Sequence, residues 1–438
     1  MTTAADSAPR SSTRPADPGL EPHAAPRARG PVLRAERALA PDLARGAMLL
    51  LIALANSVGY FFANAPGLDP TPHGAERPWI VLLFLFVHSR AFPLFAFLFG
   101  YGLVQLAARQ DAAGASPAEV RRILVRRNAW LLAFGAAHGL LLNAGDFLGA
   151  YGLVGIAFTL LLLRRSARVY RFVPVLVALE AAAALVLAVL VTGRLLSGGL
   201  VGAADAVPAP TSPMPSVLAP TFVDSVAARL GEWPAHTATV LPFILFVWIG
   251  AWAARRRILE EPGEHLTLLR RGAVGGLTIG ALGGLPMGLL AAGWLHLDAG
   301  TAGLVTVLYN NTGTLGAIGW TCLFGLLAHR IARARASAAT GTTDGAPGAA
   351  APGRLVDAVA ALGRRSLTGY LVQSVAWLVL TAPFLLDLPR HAPSPTFAAA
   401  GGAVAVWALT VVGAAALERH GNRGPAENLL RRLTYGRR

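Results

Sequence analysis

The chain has 438 residues, of which 54% are hydrophobic and only 14% charged, and its mean hydropathy is +0.53. A soluble chain needs about 25% charged residues to cover its surface, so this composition excludes an ordinary cytosolic enzyme and a wholly disordered chain. It leaves an all-α, polytopic integral membrane protein whose surface is mostly covered by a lipid bilayer.

The net charge is +15, and all 38 basic residues are arginine. They cluster between apolar runs, which reads as membrane topology and not as nucleic-acid binding. The single cysteine, Cys322, lies inside an apolar run, and no Cys/His cluster has zinc-site spacing. Neither a disulfide, a bound metal nor a redox cofactor is expected.

Residues 1–40 hold Pro, Ala, Ser and Arg without an apolar run and read as a disordered basic tail. About ten membrane helices follow, predicted at 43–63, 79–107, 128–144, 147–163, 170–192, 236–254, 271–294, 303–329, 366–386 and 396–417. The third and fourth are short and read as a tight hairpin turning at Asn143-Ala144-Gly145-Asp146. Residues 193–235 form a long Pro-rich external loop, and residues 334–353 a flexible linker rich in Ala, Gly and Thr. The linker divides an eight-helix region, 41–333, from two C-terminal helices and a tail, 354–438. The seventh helix carries Gly272, Gly276, Gly280, Gly284 and Gly288 at a spacing of four, a ridge that lets helix backbones approach closely.

Charged groups inside the bilayer cost at least about 2.5–3.5 kcal/mol each, so they need a partner, a wet cavity or a function. Counting helical rise, Arg90 and Glu180 both fall about 15 Å inside their helices. One reading pairs them; the other gives Arg90 an anion to hold. His88 lies two residues before Arg90, on a different helix face unless Pro93 distorts the turn. His138 lies close to Asp146 across the hairpin, and a carboxylate beside an imidazole makes a general base. A histidine bonded to a neighbouring carbonyl is the simpler alternative for each. Asp42 and Arg45 share a face at the start of the first helix, where capping and snorkelling explain them. Asn56 lies deeper and needs an interhelical partner.

Several segments resemble a known family. Pro41-Asp42-Leu43-Ala44-Arg45-Gly46 with Asn56 resembles its Asp-x-x-Arg-Gly opening. Phe92-Pro93-Leu94-Phe95 through Phe99-Gly100-Tyr101-Gly102 resembles its second helix. Arg126-Arg127, His138-Gly139 and Gly145-Asp146 resemble a third motif. Leu362-Gly363-Arg364-Arg365-Ser366-Leu367-Thr368-Gly369-Tyr370-Leu371-Val372-Gln373-Ser374 and residues 424–436 resemble its C-terminal motifs. Together these are similar to the bacterial membrane family called domain of unknown function 418, or YeiB-like, and the likeness runs over residues 35–438. Gly369 departs from it, standing where the family usually has Asn.

The resemblance implies a multi-pass protein of the bacterial plasma (inner) membrane without a settled activity, loosely grouped with transmembrane acyltransferases. Those move an acyl group from a cytoplasmic acyl-thioester donor to an acceptor, a small molecule, lipid or glycan, across the membrane. In that reading His88 or His138 is the base, Asp146 supports it and Arg90 holds the developing anion. Asp42, Arg45, Asn56, Tyr370 and Gln373 are the further binding candidates. A transporter of a small anionic or amphipathic solute and a non-catalytic scaffold are the competing readings. The functional cavity is expected among helices one to four, in the external half, with His88, Arg90, His138 and Asp146 together, and with Tyr370, Gln373 and Ser374 added by the ninth helix.

Thirty-three of the 38 arginines fall in alternate segments that include both terminal regions, while the other loops hold only Arg77, Arg194, Arg229 and Arg390. The excess marks the cytoplasmic side and puts both termini there. A reporter fused after Arg438 is expected to read as cytoplasmic; an external reading would refute the ten-helix count.

Overall fold

A computed structural model describes residues 38–339 and 353–436. Residues 1–37 of the expected tail and 340–352 of the expected linker lie outside the described residues. The described chain is almost wholly helical, as composition required: α1 (Leu39–Phe62), α2 (Glu76–Phe86), α3 (Ala91–Ala112), α4 (Pro117–Leu141), α5 (Leu148–Leu161), α6 (Ala167–Tyr170), α7 (Phe172–Leu196), α8 (Pro215–Leu218), α9 (Phe222–Val240), α10 (Ile244–Arg255), α11 (Leu266–Ala291), α12 (Ala299–Ala339), α13 (Arg354–Arg364), α14 (Ser366–Thr381), α15 (Leu388–His391), α16 (Pro395–Arg419) and α17 (Pro425–Tyr435). A two-residue antiparallel ribbon pairs Asn64 with Pro213 and Ala65 with Ser212.

Among the described residues, seven helical stretches are long and apolar enough to cross a membrane: those containing α1, α2 with α3, α6 with α7, α9 with α10, α11, α12 and α16. The short apolar helices α5 and α14 make two more of the ten expected runs. The tenth is α4, which begins well before the expected residue 128. Ser116 caps it reciprocally with Glu119, the Ser116 amide donating to Glu119 Oε2 at 2.8 Å. Its first turns then carry Arg121, Arg122, Arg126 and Arg127 beyond the apolar part.

Three other boundaries differ from expectation for local reasons. The predicted helix 79–107 breaks at Val87–Arg90 because Pro93 cannot donate to Ser89 and its ring crowds the Ser89 carbonyl; Ser89 takes φ 60°. The second half of the expected loop 193–235 is helical, since Thr221 caps α9 and α9 leads on to α10. Residues 334–339, expected in the linker, continue α12 through an Ala-rich stretch of strong helix formers.

The most buried helix is α1, packed by α13, α16, α12, α14 and α3. Trp407 Nε1 donates to the Gly46 carbonyl at 3.0 Å and ties α16 to it. The most extensive helix pair is α11 with α12. Here the glycine ridge acts as the sequence implied: Gly280 faces Gly316, Gly276 faces Gly319, and Gly288 faces Val81 and Phe84 of α2. The most lipid-exposed span is α7, with Leu179, Leu185, Val186 and Val189 on the surface.

A Cβ on Gly276 would stand 2.5 Å from the Leu315 carbonyl oxygen and 2.8 Å from Gly319 Cα, both backbone, whereas one on Gly275 meets nothing within 4 Å. Gly276→Ala is therefore expected to lose about 1–3 kcal/mol from overpacking. Gly275→Ala is expected to be neutral or to gain up to about 1 kcal/mol from helix propensity. Unfolding of the two purified variants in one detergent checks this, and equal stabilities would contradict the packing account.

Candidate functional site

The hairpin between α4 and α5 builds the central polar group. Gly135 on α4 lets the backbone of Gly149 come into contact, which no side chain would permit. That approach sets Asp146, just before α5, beside His138 in the last turn of α4. His138 Nδ1 is 2.8 Å from Asp146 Oδ1. Asp146 also accepts from the backbone amides of Leu148 at 3.0 Å and Gly149 at 2.6 Å. Both side chains are essentially inaccessible. A carboxylate with three donors is an acceptor only, so His138 carries its proton on Nδ1 and Nε2 is left as the base. Nε2 lies 2.8 Å from Ser374 Oγ, contributed by α14.

Tyr370, one turn earlier on α14, has its ring 5.0 Å from the imidazole. The same tyrosine forms part of the wall of a cavity of about 500 Å³. Part of its lining is apolar, with Phe95, Leu98, Leu131, Leu148 and Tyr151. Another part of the lining is the arginine-rich end of the helices, beside α17, with Arg45, Arg127, Arg364, Arg365, Arg423 and Arg431. Carboxylates occupy some of these: Asp42 pairs with Arg45 at 3.2 Å, and Glu418 with Arg364 and Arg365 at 2.8 and 2.6 Å. Arg127 and Arg431 make no ion pair with a carboxylate among the described residues. Burial pushes the Tyr435 phenol above its usual range, although Arg127, Arg431, Arg109 and Arg126 lie close enough to favour its anion.

On the other side of His138, α9 supplies residues with no signal in the sequence. The Trp233 ring fills the space that a Cβ on Gly139 would take. Arg229 Nη1 donates to the Leu141 carbonyl at 2.9 Å at the end of α4, and His236 packs edge-on against Phe147 at 4.9 Å. Trp377 of α14 stacks on Tyr60 of α1, ring centroids 6.1 Å apart.

The expected residues divide into groups. Asp42, Arg45 and Tyr370 line the cavity, and His138 and Asp146 sit beyond Tyr370. Gln373 Nε2 donates to the Leu49 carbonyl at 3.3 Å, and Asn56 makes no side-chain hydrogen bond among the described residues, contrary to the expected interhelical partner. His88 and Arg90 belong elsewhere. The broken turn lets Arg90 Nη1 donate to the His88 carbonyl at 2.6 Å, while Nη2 donates to the Gly280 carbonyl and the guanidinium lies 5.4 Å from the Tyr309 ring centroid. The Arg90–Glu180 pair does not form: Arg90 turns towards α11, and Glu180 lies against Thr314. Among the described residues no hydrogen bond or ring contact joins the His88 group to the His138 group, and none of the four ionisable residues lines the cavity that Tyr370 borders.

Asp146→Ala would orphan two buried amides and the His138 Nδ1–H, at about 1–3 kcal/mol for each buried group left unsatisfied. It is expected to lower the thermal unfolding midpoint sharply, and Asp146→Asn, which keeps an acceptor oxygen, to lower it less. An Asp146→Ala protein as stable as the parent would remove Asp146 from the structural core.

Residues 253–343 and 346–437 match the family described as "Protein of unknown function (DUF418)". This is narrower than the span of the motifs and takes in α14 but not His138. The chain is 34% identical over 128 residues to an uncharacterized 39.9 kDa protein in the amylase 3' region of Bacillus acidopullulyticus, 29% of this chain and 34% of that protein. It is 37% identical over 125 residues to the uncharacterized protein YeiB of Escherichia coli (strain K12), 28% and 30% of the two chains. To the uncharacterized protein YxaH of Bacillus subtilis (strain 168) it is 38% identical over 87 residues, 19% and 20%. These matches span about a third or less of the relatives' length. With the motifs and the apolar helices, they make residues 253–343 and 346–437 of this membrane protein similar to DUF418, and part of the chain similar to YeiB.

Proposed function

We propose that this protein is an acyltransferase of the bacterial plasma membrane, with His138 as general base and an acyl-thioester as donor. The observation that carries the reading is the imidazole held between a carboxylate and a hydroxyl, one tyrosine ring away from an amphipathic cavity. The cavity suits a donor with an anionic head and an apolar acyl chain. The head would meet Arg127 and Arg431, and the chain would lie along Phe95, Leu98 and Leu131. Taking the arginine-rich end as cytoplasmic, the donor enters from the cytoplasm, and the acceptor meets His138 from the side of Trp233 and Tyr60. Transport of an anion would lean on Arg90, whose guanidinium is occupied by the His88 and Gly280 carbonyls.

General-base catalysis contributes about 10²–10⁴-fold. His138→Ala is therefore expected to cut thiol release from acyl-coenzyme A by at least about 100-fold in nanodiscs, without loss of the folded protein. Arg127→Gln with Arg431→Gln should raise KM more than it lowers kcat, because the head group is held equally in ground and transition states. A His138→Ala protein that releases thiol at the parent rate would end this reading.

A further inference from the structure

We infer that Ser374 is an acyl carrier: the acyl group passes from the donor to Ser374 Oγ, and from Ser374 to the acceptor. The inference rests on the acyl-transfer reading and adds a covalent intermediate to it.

The geometry is that of a nucleophile–base–carboxylate triad, drawn from three chain segments. Asp146 Oδ1 to His138 Nδ1 is 2.8 Å, and His138 Nε2 to Ser374 Oγ is 2.8 Å. A nucleophile and base within hydrogen-bond reach, with the base oriented by a third group, is the arrangement that activates a hydroxyl. The tautomer argument gives the direction: Nδ1 holds the proton, so the Ser374 hydroxyl donates to Nε2. Any acceptor that used His138 directly would first have to displace Ser374 from that lone pair.

A hydroxyl inside an apolar helix ordinarily bonds the carbonyl four residues back. In this chain Thr159, Thr312, Thr321 and Thr381 do so at 2.6, 2.8, 3.0 and 2.8 Å. Ser374 stands 3.2 Å from the Tyr370 carbonyl, farther than any of these, and 2.8 Å from the imidazole. Its hydroxyl is therefore committed to the base more closely than to its own helix.

Position also suits a relay. Tyr370, which lines the cavity, is four residues before Ser374, about 6 Å along the helix axis. Trp377, three residues after it, shares the same helix face and stacks on Tyr60. Ser374 thus lies between the donor cavity and the aromatic side of the site. Trp377 Nε1 is buried with no hydrogen-bond partner, a donor one turn from the carrier for an oxyanion.

The step balances without another reactant. Ser374 Oγ attacks the thioester carbon as its proton moves to His138 Nε2. The tetrahedral species then collapses, the C–S bond breaks, and the departing thiolate takes that proton as a thiol. In the second half an acceptor hydroxyl or amine gives its proton to Nε2 and attacks the acyl carbon. The Ser374 Oγ–C bond breaks, and the serine recovers its proton.

Full-length protein in nanodiscs, incubated with acetyl- and palmitoyl-coenzyme A, quenched in acid and digested, tests this by mass spectrometry. An acyl mass on the peptide containing Ser374 is expected, absent in Ser374→Ala, whose thiol release should fall at least about 100-fold. Ser374→Cys, nearly the same size, is expected to fold and to hold the acyl group as a thioester that hydroxylamine removes at neutral pH. Thiol release by the parent protein with no acyl peptide, and release by Ser374→Ala at the parent rate, would overturn the relay and leave His138 as a base acting on the acceptor. No thiol release by the parent from either donor would instead overturn the acyl-transfer reading itself, and the relay with it.

Discussion

A carboxylate removed from water must have its oxygens filled by donors, and the satisfaction of Asp146 organises the centre of this protein. Its donors come from α5, through the Leu148 and Gly149 amides, and from α4, through His138. The amides are the first free donors of α5, where the helix dipole also favours a negative charge. The imidazole, once fixed by Nδ1, presents Nε2 to α14. One buried carboxylate thus joins two consecutive helices to a third that is distant in the chain. The bare backbones of Gly135 and Gly149 are what allow it, since a side chain at either would hold α4 and α5 apart.

Arg90 solves the opposite problem differently. A guanidinium about 16 Å into the apolar part of its chain needs acceptors, and two backbone carbonyls, His88 and Gly280, supply them. A helix carbonyl is normally committed to its own ladder. The His88 carbonyl is available because the α2–α3 break releases it, and Gly280 is reached because Gly284 and Gly316 leave room for the side chain. Arg90 therefore pins the break of one helix into the glycine seam of two others. The aromatic face of Tyr309 takes up part of the remaining charge.

Apolar run length and the four-residue glycine spacing carried the helices, their order and the close α11–α12 seam, because each is a local property of the chain. His138 beside Asp146 was legible for the same reason: eight residues and one turn separate them. Ser374 was expected at the cavity only as one of three polar residues, with Tyr370 and Gln373, that the ninth helix would add. Its partner is 236 residues away, and no spacing rule spans that distance. The Arg90–Glu180 pairing failed on depth reasoning: equal depth says nothing of which way each helix turns, and the broken turn at Ser89 redirected Arg90. Trp233 and Arg229 were missed because residues 222–235 read as part of a Pro-rich loop, although Thr221 with Asp224 spelled a helix start; His236 stood at the start of a predicted helix without any partner in sequence.

Tyr370 separates the cavity from the imidazole, and this decides how the two halves of the site relate. Its ring faces His138 at 5.0 Å on one side and the cavity on the other. On the acyl-transfer proposal, a barrier at that point keeps water and protons from running between the two faces. Gly369 bears on the same wall. A Cβ there would stand 2.7 Å from Leu362 Cδ1 of α13 and 3.2 Å from Leu49 Cδ1 of α1, so a larger residue would have to turn those two leucine side chains aside. Glycine at this position leaves room for the Leu362 and Leu49 side chains against the helix that holds both Tyr370 and Ser374.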